Sequence, residues 1–186
     1  QNMYLRLIET IKKSISSLAV ALSIVGACAA LTYGGTRAYQ GIRYDQDIGG
    51  HLKRAADANQ PSLAIQELDL VEKNMDSWGL CPSPSPEAVC YTSVVYQTPD
   101  EDVAFWRTNI AQTRDDLQAL PPDADQLTIS NTLLKVRETL LDNKGQSGVS
   151  VTAPPGIHLY PHNGFYAAWG ILSFLLFLIG GLWYFL

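Results

Sequence analysis

Two long runs of apolar residues lie near the two ends of the chain. Residues 14–36 and 163–186 contain no Asp, Glu, Lys or Arg. Each run exceeds the roughly 20 residues that an α-helix needs to cross a hydrocarbon core of about 30 Å. The pattern therefore predicts two transmembrane helices, at residues 15–36 and 163–186. Residues 1–14 then form a short cytoplasmic juxtamembrane tail.

The stretch between these runs carries apolar residues at helical spacing, and Pro and Gly divide it into segments. The first segment continues the first span outward and is interrupted at Gly49-Gly50. The helical segments are expected at residues 37–59, 61–78, 98–120 and 123–143. We therefore predict an all-α chain, with two transmembrane helices flanking an extracytoplasmic up-down-up-down four-helix bundle at residues 37–144. Residues 145–162, with their prolines, are expected to form an extended arm leading to the second span.

The distribution of charge predicts how the chain sits in the membrane. Arg6, Lys12 and Lys13 precede the first span with a single Glu9, whereas residues 37–162 carry ten Lys and Arg and seventeen Asp and Glu. Short basic flanks stay in the cytoplasm, and long loops are translocated largely regardless of charge. Both termini are therefore expected on the cytoplasmic side of a bacterial inner membrane or a thylakoid membrane, with residues 37–162 on the other side.

The first apolar run has a second interpretation, as a signal peptide. Two lysines precede it, and Ala27-Cys28-Ala29-Ala30 provides the small residues of a cleavage site. The sequence Val25-Gly26-Ala27-Cys28 also resembles a bacterial lipobox, in which Cys28 would carry a lipid. We take the run as an uncleaved anchor in which Cys28 is a small helix-packing residue, and the processed form remains the alternative.

Cys81 and Cys90 are nine positions apart in a Pro-rich loop that is expected outside the cytoplasm. A disulfide between them is the natural interpretation, and it would stabilise the fold by about 2 to 3 kcal/mol on the chain-entropy argument. Two free thiols are the alternative. His158 and His162 are not expected to bind a metal, because Pro161 prevents the helical geometry that would bring both rings to one side.

No sequence motif announces catalysis or a cofactor. The chain has no Gly-rich phosphate loop, nucleophile elbow or HExxH motif, so we expect neither an enzyme nor a cofactor site. The formal charge of -5 argues against a nucleic-acid partner, because phosphate binding depends on clustered Lys and Arg. Neither span contains an ionisable residue, which argues against a channel or transporter built from this pair alone.

Small residues recur every four positions along the first span and predict a helix-packing interface. Such ridges let two helices approach closely, and in lipid they usually face another helix. The partner is expected to be the second span or a neighbouring subunit. One ridge consists of Ala19, Ser23 and Ala27, and the adjacent ridge of Gly26, Ala30 and Gly34.

The architecture at residues 15–186 resembles in outline the input half of bacterial transmembrane sensors with four-helix ligand-binding domains, although no diagnostic motif accompanies it. Such sensors need a cytoplasmic output domain after the second span, and this sequence ends on apolar residues. We therefore expect a non-enzymatic membrane protein, in contact with lipid, whose bundle mediates protein contacts as a self-associating or accessory subunit. The alternative is a ligand-sensing domain, with a pocket lined by polar groups such as Arg107, Arg114 or Arg137.

Overall fold

The computed structural model describes residues 2–80, 103–143, 148–159 and 162–185. The described part of the chain is mostly helical, and two of its helices are long and apolar enough to cross a membrane. The chain divides into two compact units. The two-helix unit comprises Gln1–Tyr39 and Gly164–Leu186, and the central unit comprises Gln40–Asn163. The helices are α1 (Asn2–Tyr44), α2 (Gly50–Ala56), α3 (Pro61–Ser77), α4 (Val103–Gln118), α5 (Gln126–Leu140) and α6 (Asn163–Phe185).

A π-helical turn, Asp45–Gly49, joins α1 to α2. The Gly50 N–H donates to the Asp45 carbonyl, five residues back, which adds one residue to that turn. A Cβ atom at Gly50 would lie 2.7 Å from the same carbonyl oxygen, so this turn requires glycine. The helix therefore continues beyond the first apolar run, and the interruption expected at Gly49-Gly50 takes the form of a π-helical turn.

The boundaries of α3 follow from ordinary capping chemistry. Pro61 occupies the first turn, where its missing N–H costs no hydrogen bond. At the other end Gly79 has a φ of +66°, and the Leu80 N–H donates to the Met75 carbonyl at 2.9 Å. This is a Schellman cap, and its usual hydrophobic contact is provided by Leu80, which is fully buried.

Helix α5 begins at a capped residue and ends earlier than the sequence pattern predicts. Asp125 accepts a hydrogen bond from the Thr128 N–H at 2.6 Å, and this bond holds the pKa of the Asp125 carboxyl below its usual value. The sequence pattern predicts a helix up to Asn143, but residues Leu141–Asn143 form a short strand, β1. Strand β1 pairs antiparallel with β2 (Val149–Val151).

The described residues between α5 and α6 contact the core of the central unit. The Trp106 indole N–H donates to the Thr152 carbonyl at 2.7 Å. A turn follows in which the Ile157 N–H donates to the Pro154 carbonyl at 3.2 Å, with Gly156 at a φ of +75°. The order Pro155-Gly156 at its centre is typical of a type II turn. A 3-10 turn, Ile157–Leu159, then leads towards α6.

The core of the central unit is apolar and continuous. Helix α3 contacts α2 and α4, and α5 contacts α2 and α4 in turn. Helix α5 buries only part of its apolar residues. Val136 and Leu140 are buried, while Leu127 and Leu134 are exposed. The largest fully buried side chains of this core are those of Ile48, Leu52, Leu68, Val71, Met75, Leu80, Val103, Ile110 and Leu117.

Candidate functional site

Helices α1 and α6 pair closely at glycine residues of the two-helix unit. A Cβ atom at Gly26 would meet the backbone nitrogen of Phe177 and would lie 2.8 Å from its Cα. A Cβ atom at Gly180 would lie 2.6 Å from the backbone nitrogen of Ser23 and 2.7 Å from the Ala19 carbonyl oxygen. The backbones are therefore in direct contact at two points, an approach that small residues alone permit.

Aromatic side chains close one end of this pairing. Tyr33 packs on Gly170, where an added Cβ would lie 2.9 Å from the ring. The Tyr33 ring also stands edge-to-face against Trp169, with ring centres 6.0 Å apart. The Arg37 guanidinium lies over Tyr33 at 5.8 Å and donates to its hydroxyl at 3.3 Å. Trp and Tyr are enriched where a transmembrane helix leaves the hydrocarbon.

The small residues predicted to form two ridges differ in how deeply they are buried. Ala19 and Gly26 are buried against α6, and Ser23 and Ala27 are half-buried. Ala30 and Gly34 are exposed, and a Cβ atom at Gly34 would have no neighbour within 4 Å. A helix turns every 3.6 residues, so a ridge of four-residue spacing drifts away from a straight partner.

The contacts follow a seven-residue spacing that the sequence analysis missed. On α1 the contacting positions are Ala19, Ser23, Gly26 and Tyr33, of which Ala19, Gly26 and Tyr33 follow one another at seven-residue intervals. On α6 Ser173 and Gly180 are buried seven residues apart. A seven-residue repeat keeps one seam facing the partner helix. A search for small residues seven apart would have found Ala19 with Gly26 and Ser173 with Gly180, but it would also have found Ser23 with Ala30 and Ala27 with Gly34, so it would not have located the seam by itself.

The cysteine pair expected to form a disulfide, Cys81 and Cys90, lies outside the described residues. Cys28, on α1, is exposed and has no disulfide partner among the described residues. No cluster of three or more potential metal ligands occurs in the part of the chain that the structure describes. His158 is half-buried in the 3-10 turn, and His162 is exposed.

Each of the three arginines that the alternative interpretation placed in a ligand pocket is paired with a carboxylate. Arg107 contacts the Asp76 carboxylate at 2.5 Å and donates to the Leu80 carbonyl at 3.1 Å. Arg114 contacts the carboxylates of Asp115 at 2.9 Å and Glu72 at 2.5 Å. The Asp115 hydrogen bond in particular raises the pKa of Arg114.

Arg137, the third arginine, lines an open depression of about 370 Å³ between the end of α2 and α5. Its guanidinium lies 3.4 Å from the Asp57 carboxylate. Asn59 and Ser130 add polar groups, and Leu133 adds an apolar wall. Arg137 therefore faces a cavity with mixed polar and apolar walls.

A polar cluster that the sequence analysis missed joins α2 to α3. Glu67 accepts from Arg54 Nε at 3.0 Å and lies 2.6 Å from His51 Nδ1. Desolvation acts to raise the pKa of Glu67, but the hydrogen bonds to His51 and Arg54 outweigh it and hold that pKa below its usual value. No helical periodicity could have shown this cluster, because its members lie on separate helices.

A second polar cluster surrounds the π-helical turn. The Trp78 indole N–H donates to the Asp47 carboxylate at 3.0 Å, and Arg43 pairs with the same carboxylate at 3.4 Å. The Arg43 guanidinium also lies over the Trp78 ring at 5.2 Å. Burial raises the pKa of Tyr44, whose ring meets Trp78 edge-to-face. The cluster ties the π-helical turn to the end of α3.

Comparisons with protein-family models, with curated proteins and with solved structures find no match to this chain.

Proposed function

We propose that the chain is a non-enzymatic integral membrane protein whose central unit mediates protein contacts, as a self-associating or accessory subunit of a membrane assembly. In this proposal α1 and α6 cross one bilayer. The four helices of the central unit form an up-down-up-down bundle outside the cytoplasm. The basic residues before the first span and the acidic balance of residues 37–162 support this orientation.

The exposed small residues of α1 are the observation that carries the subunit proposal. Ala19 and Gly26 are already covered by α6, whereas Ala30 and Gly34 are not. Lipid offers no hydrophobic drive between helices, so close packing of small residues is a principal source of attraction there. The uncovered face can therefore receive a helix of a neighbouring subunit.

The central unit supports a role in protein contacts for a second reason. Its interior is filled by apolar side chains, and Arg107 and Arg114 are paired with carboxylates. Its surface meanwhile exposes large apolar side chains, among them Phe105, Leu127 and Leu134. Leu127 and Leu134 are seven positions apart and so lie on one face of α5, which is the part of this surface that the proposal assigns to protein contacts.

The test is the mass of the intact complex extracted from its native membrane in mild detergent. We expect a mass above that of one chain, and we expect Gly34→Leu to reduce it. Gly35→Leu is the matched control, because Gly35 is also exposed with no neighbour within 4 Å but points about 100° away around the helix. A single chain without a partner in the unmodified protein would contradict the proposal.

Ligand sensing is the second candidate function, and the depression beside Arg137 favours it. The charged pair of Arg137 with Asp57 and the apolar wall at Leu133 would suit a small zwitterion with an apolar side chain. Mixtures of amino acids should then raise the unfolding temperature of the unmodified protein but not of Arg137→Gln. Equal responses of the two proteins would remove this candidate.

A further inference from the structure

An apolar groove lies on α6 of the two-helix unit. Phe165, Ala168, Trp169 and Leu172 line it, and their spacing of three, four and seven positions places them on one face of the helix. The groove is open on one side and has a volume of about 360 Å³. Ala168, the smallest of the four, leaves the space between the larger side chains.

A positive charge stands beside this groove. The Arg37 guanidinium rests on Tyr33, and Tyr33 in turn packs against Trp169, a wall of the groove. The side chain of Arg37 is exposed, and none of the ion pairs among the described residues includes it. Its N–H donors other than the one on Tyr33 are thus open to an anion.

The antiparallel pairing places Arg37 at one end of the groove. Gly26 faces Phe177, and Tyr33 faces Gly170, so positions further along α1 match positions nearer the start of α6. Arg37 therefore falls level with the first turn of α6. From there the groove runs about 10 Å along the axis, at 1.5 Å per residue, towards the middle of the apolar segment.

We propose that the groove and Arg37 form a binding site for one diacyl phospholipid, an inference that rests on the membrane placement in the proposed function. One acyl chain lies along the groove between Phe165 and Leu172, and the lipid phosphate accepts hydrogen bonds from Arg37. Arginine binds phosphate oxygens through its fork of N–H donors. Trp169 and Tyr33 stand at the depth where lipid headgroups begin.

Charge complementarity favours a phospholipid over the helix of a second copy. A second copy would bring either of its apolar runs, residues 14–36 or 163–186, and neither contains an Asp or Glu for Arg37. A helix is also about 10 Å wide with its side chains, whereas the groove is confined to the surface left by Ala168. An acyl chain with a phosphate at one end meets both the groove and the charge.

The test is native mass spectrometry of the full chain in mild detergent with added phosphatidylglycerol. We expect one tightly retained lipid per chain. Ala168→Phe should fill the groove and weaken retention at least tenfold, while Ala167→Phe, at an exposed neighbour outside the groove, should change it less than twofold. Arg37→Gln should weaken retention about tenfold, which corresponds to about 1.4 kcal/mol. Arg6→Gln, at the other end of α1, is its matched control.

The outcomes separate this site from the proposed function. Equal retention by all variants, or an equal loss with Arg6→Gln, would overturn the lipid site while membrane insertion stands. A change of complex mass in Ala168→Phe with lipid retention unaltered would assign the groove to a second copy instead. Glycerol phosphate, which has no acyl chain, should not bind. A chain that partitions into the aqueous phase would overturn both the site and the membrane placement.

If Ala168→Phe does not fold, Arg37→Gln keeps the test decisive, because it leaves the groove unchanged. Circular dichroism of each variant identifies the folded ones.

Discussion

Replacing Gly26 with Ala tests the close pairing of α1 with α6. The new methyl group would lie 2.8 Å from the Phe177 Cα and 3.0 Å from the Leu176 carbonyl carbon. Both are backbone atoms, so no side-chain rotation relieves the overlap. Carbon atoms in contact normally stay about 3.5–4.0 Å apart, so the helices must separate by at least about 0.7 Å where they meet.

The expected cost follows from that separation. A gap of about 0.5–1 Å forfeits a quarter to a half of the dispersion attraction between the atoms concerned, and overpacking usually costs about 1–3 kcal/mol. Gly35→Ala is the matched control, because it makes the same change in the same helix with no neighbour within 4 Å and outside the face proposed for a neighbouring subunit. Both variants share the gain in helix propensity, up to about 1 kcal/mol. We therefore expect the Gly26 variant to be less stable than the Gly35 variant by about 1–3 kcal/mol.

The assay is unfolding of the purified full chain from mild detergent by added SDS, followed by Trp fluorescence and circular dichroism. The difference between the two variants is the quantity of interest, since it cancels their common change in helix propensity. Equal midpoints for Gly26→Ala and Gly35→Ala would refute the close backbone contact.

The central unit offers further predictions. Glu67→Gln should flatten the dependence of stability on pH, because hydrogen bonds from His51 and Arg54 lower the folded-state pKa of Glu67. The stability that Glu67 contributes is therefore present above its unfolded pKa of about 4.3 and is lost as pH falls through the folded pKa. Equal slopes of unfolding free energy against pH for the unmodified protein and the variant, between pH 7 and pH 3, would contradict this. Leu68→Ala should cost about 2–5 kcal/mol in chemical unfolding, because Leu68 is 0% exposed. Leu127→Ala, at a position 70% exposed, should change the free energy of unfolding by no more than about 0.5 kcal/mol. Similar losses of stability for Leu68→Ala and Leu127→Ala would contradict the position assigned to the core.

The elements that sequence predicts best are those with a local cause. Chemistry within a few residues determines the start of α3 at Pro61, its end at Gly79 and the cap of α5 at Asp125. The same holds for the two apolar runs. Uncharged runs of this length have few alternatives to a long helix, and the two candidate spans follow from composition alone.

The elements that sequence missed depend on partners outside the helix whose pattern was used to predict them. Strand β1 forms because Val149–Val151 returns to pair with it, and the Thr152 N–H donates to the Leu140 carbonyl at 2.9 Å. No pattern within α5 marks that ending. Leu127 has core-like spacing but is exposed, because only one face of α5 meets α2 and α4.

The small residues of α1 do not by themselves locate its pairing face. Small residues marked the helix as one that packs closely, and Ala19 and Gly26 do contact α6. The four-residue spacing also selected Ala30 and Gly34, which the pairing leaves exposed. Which positions of a helix are covered depends on the surface of its partner helix. The sequence of one helix alone does not specify that surface.

The proposed membrane topology is tested most directly by labelling single cysteines in sealed cells with a membrane-impermeant maleimide. Asp123→Cys and Met3→Cys, each in a cysteine-free chain, place a thiol at exposed positions of the central unit and of the start of α1. We predict that the cysteine at position 123 is labelled from outside, and that the one at position 3 is labelled only after permeabilisation. Labelling of position 3 but not of position 123 in sealed cells would contradict the topology.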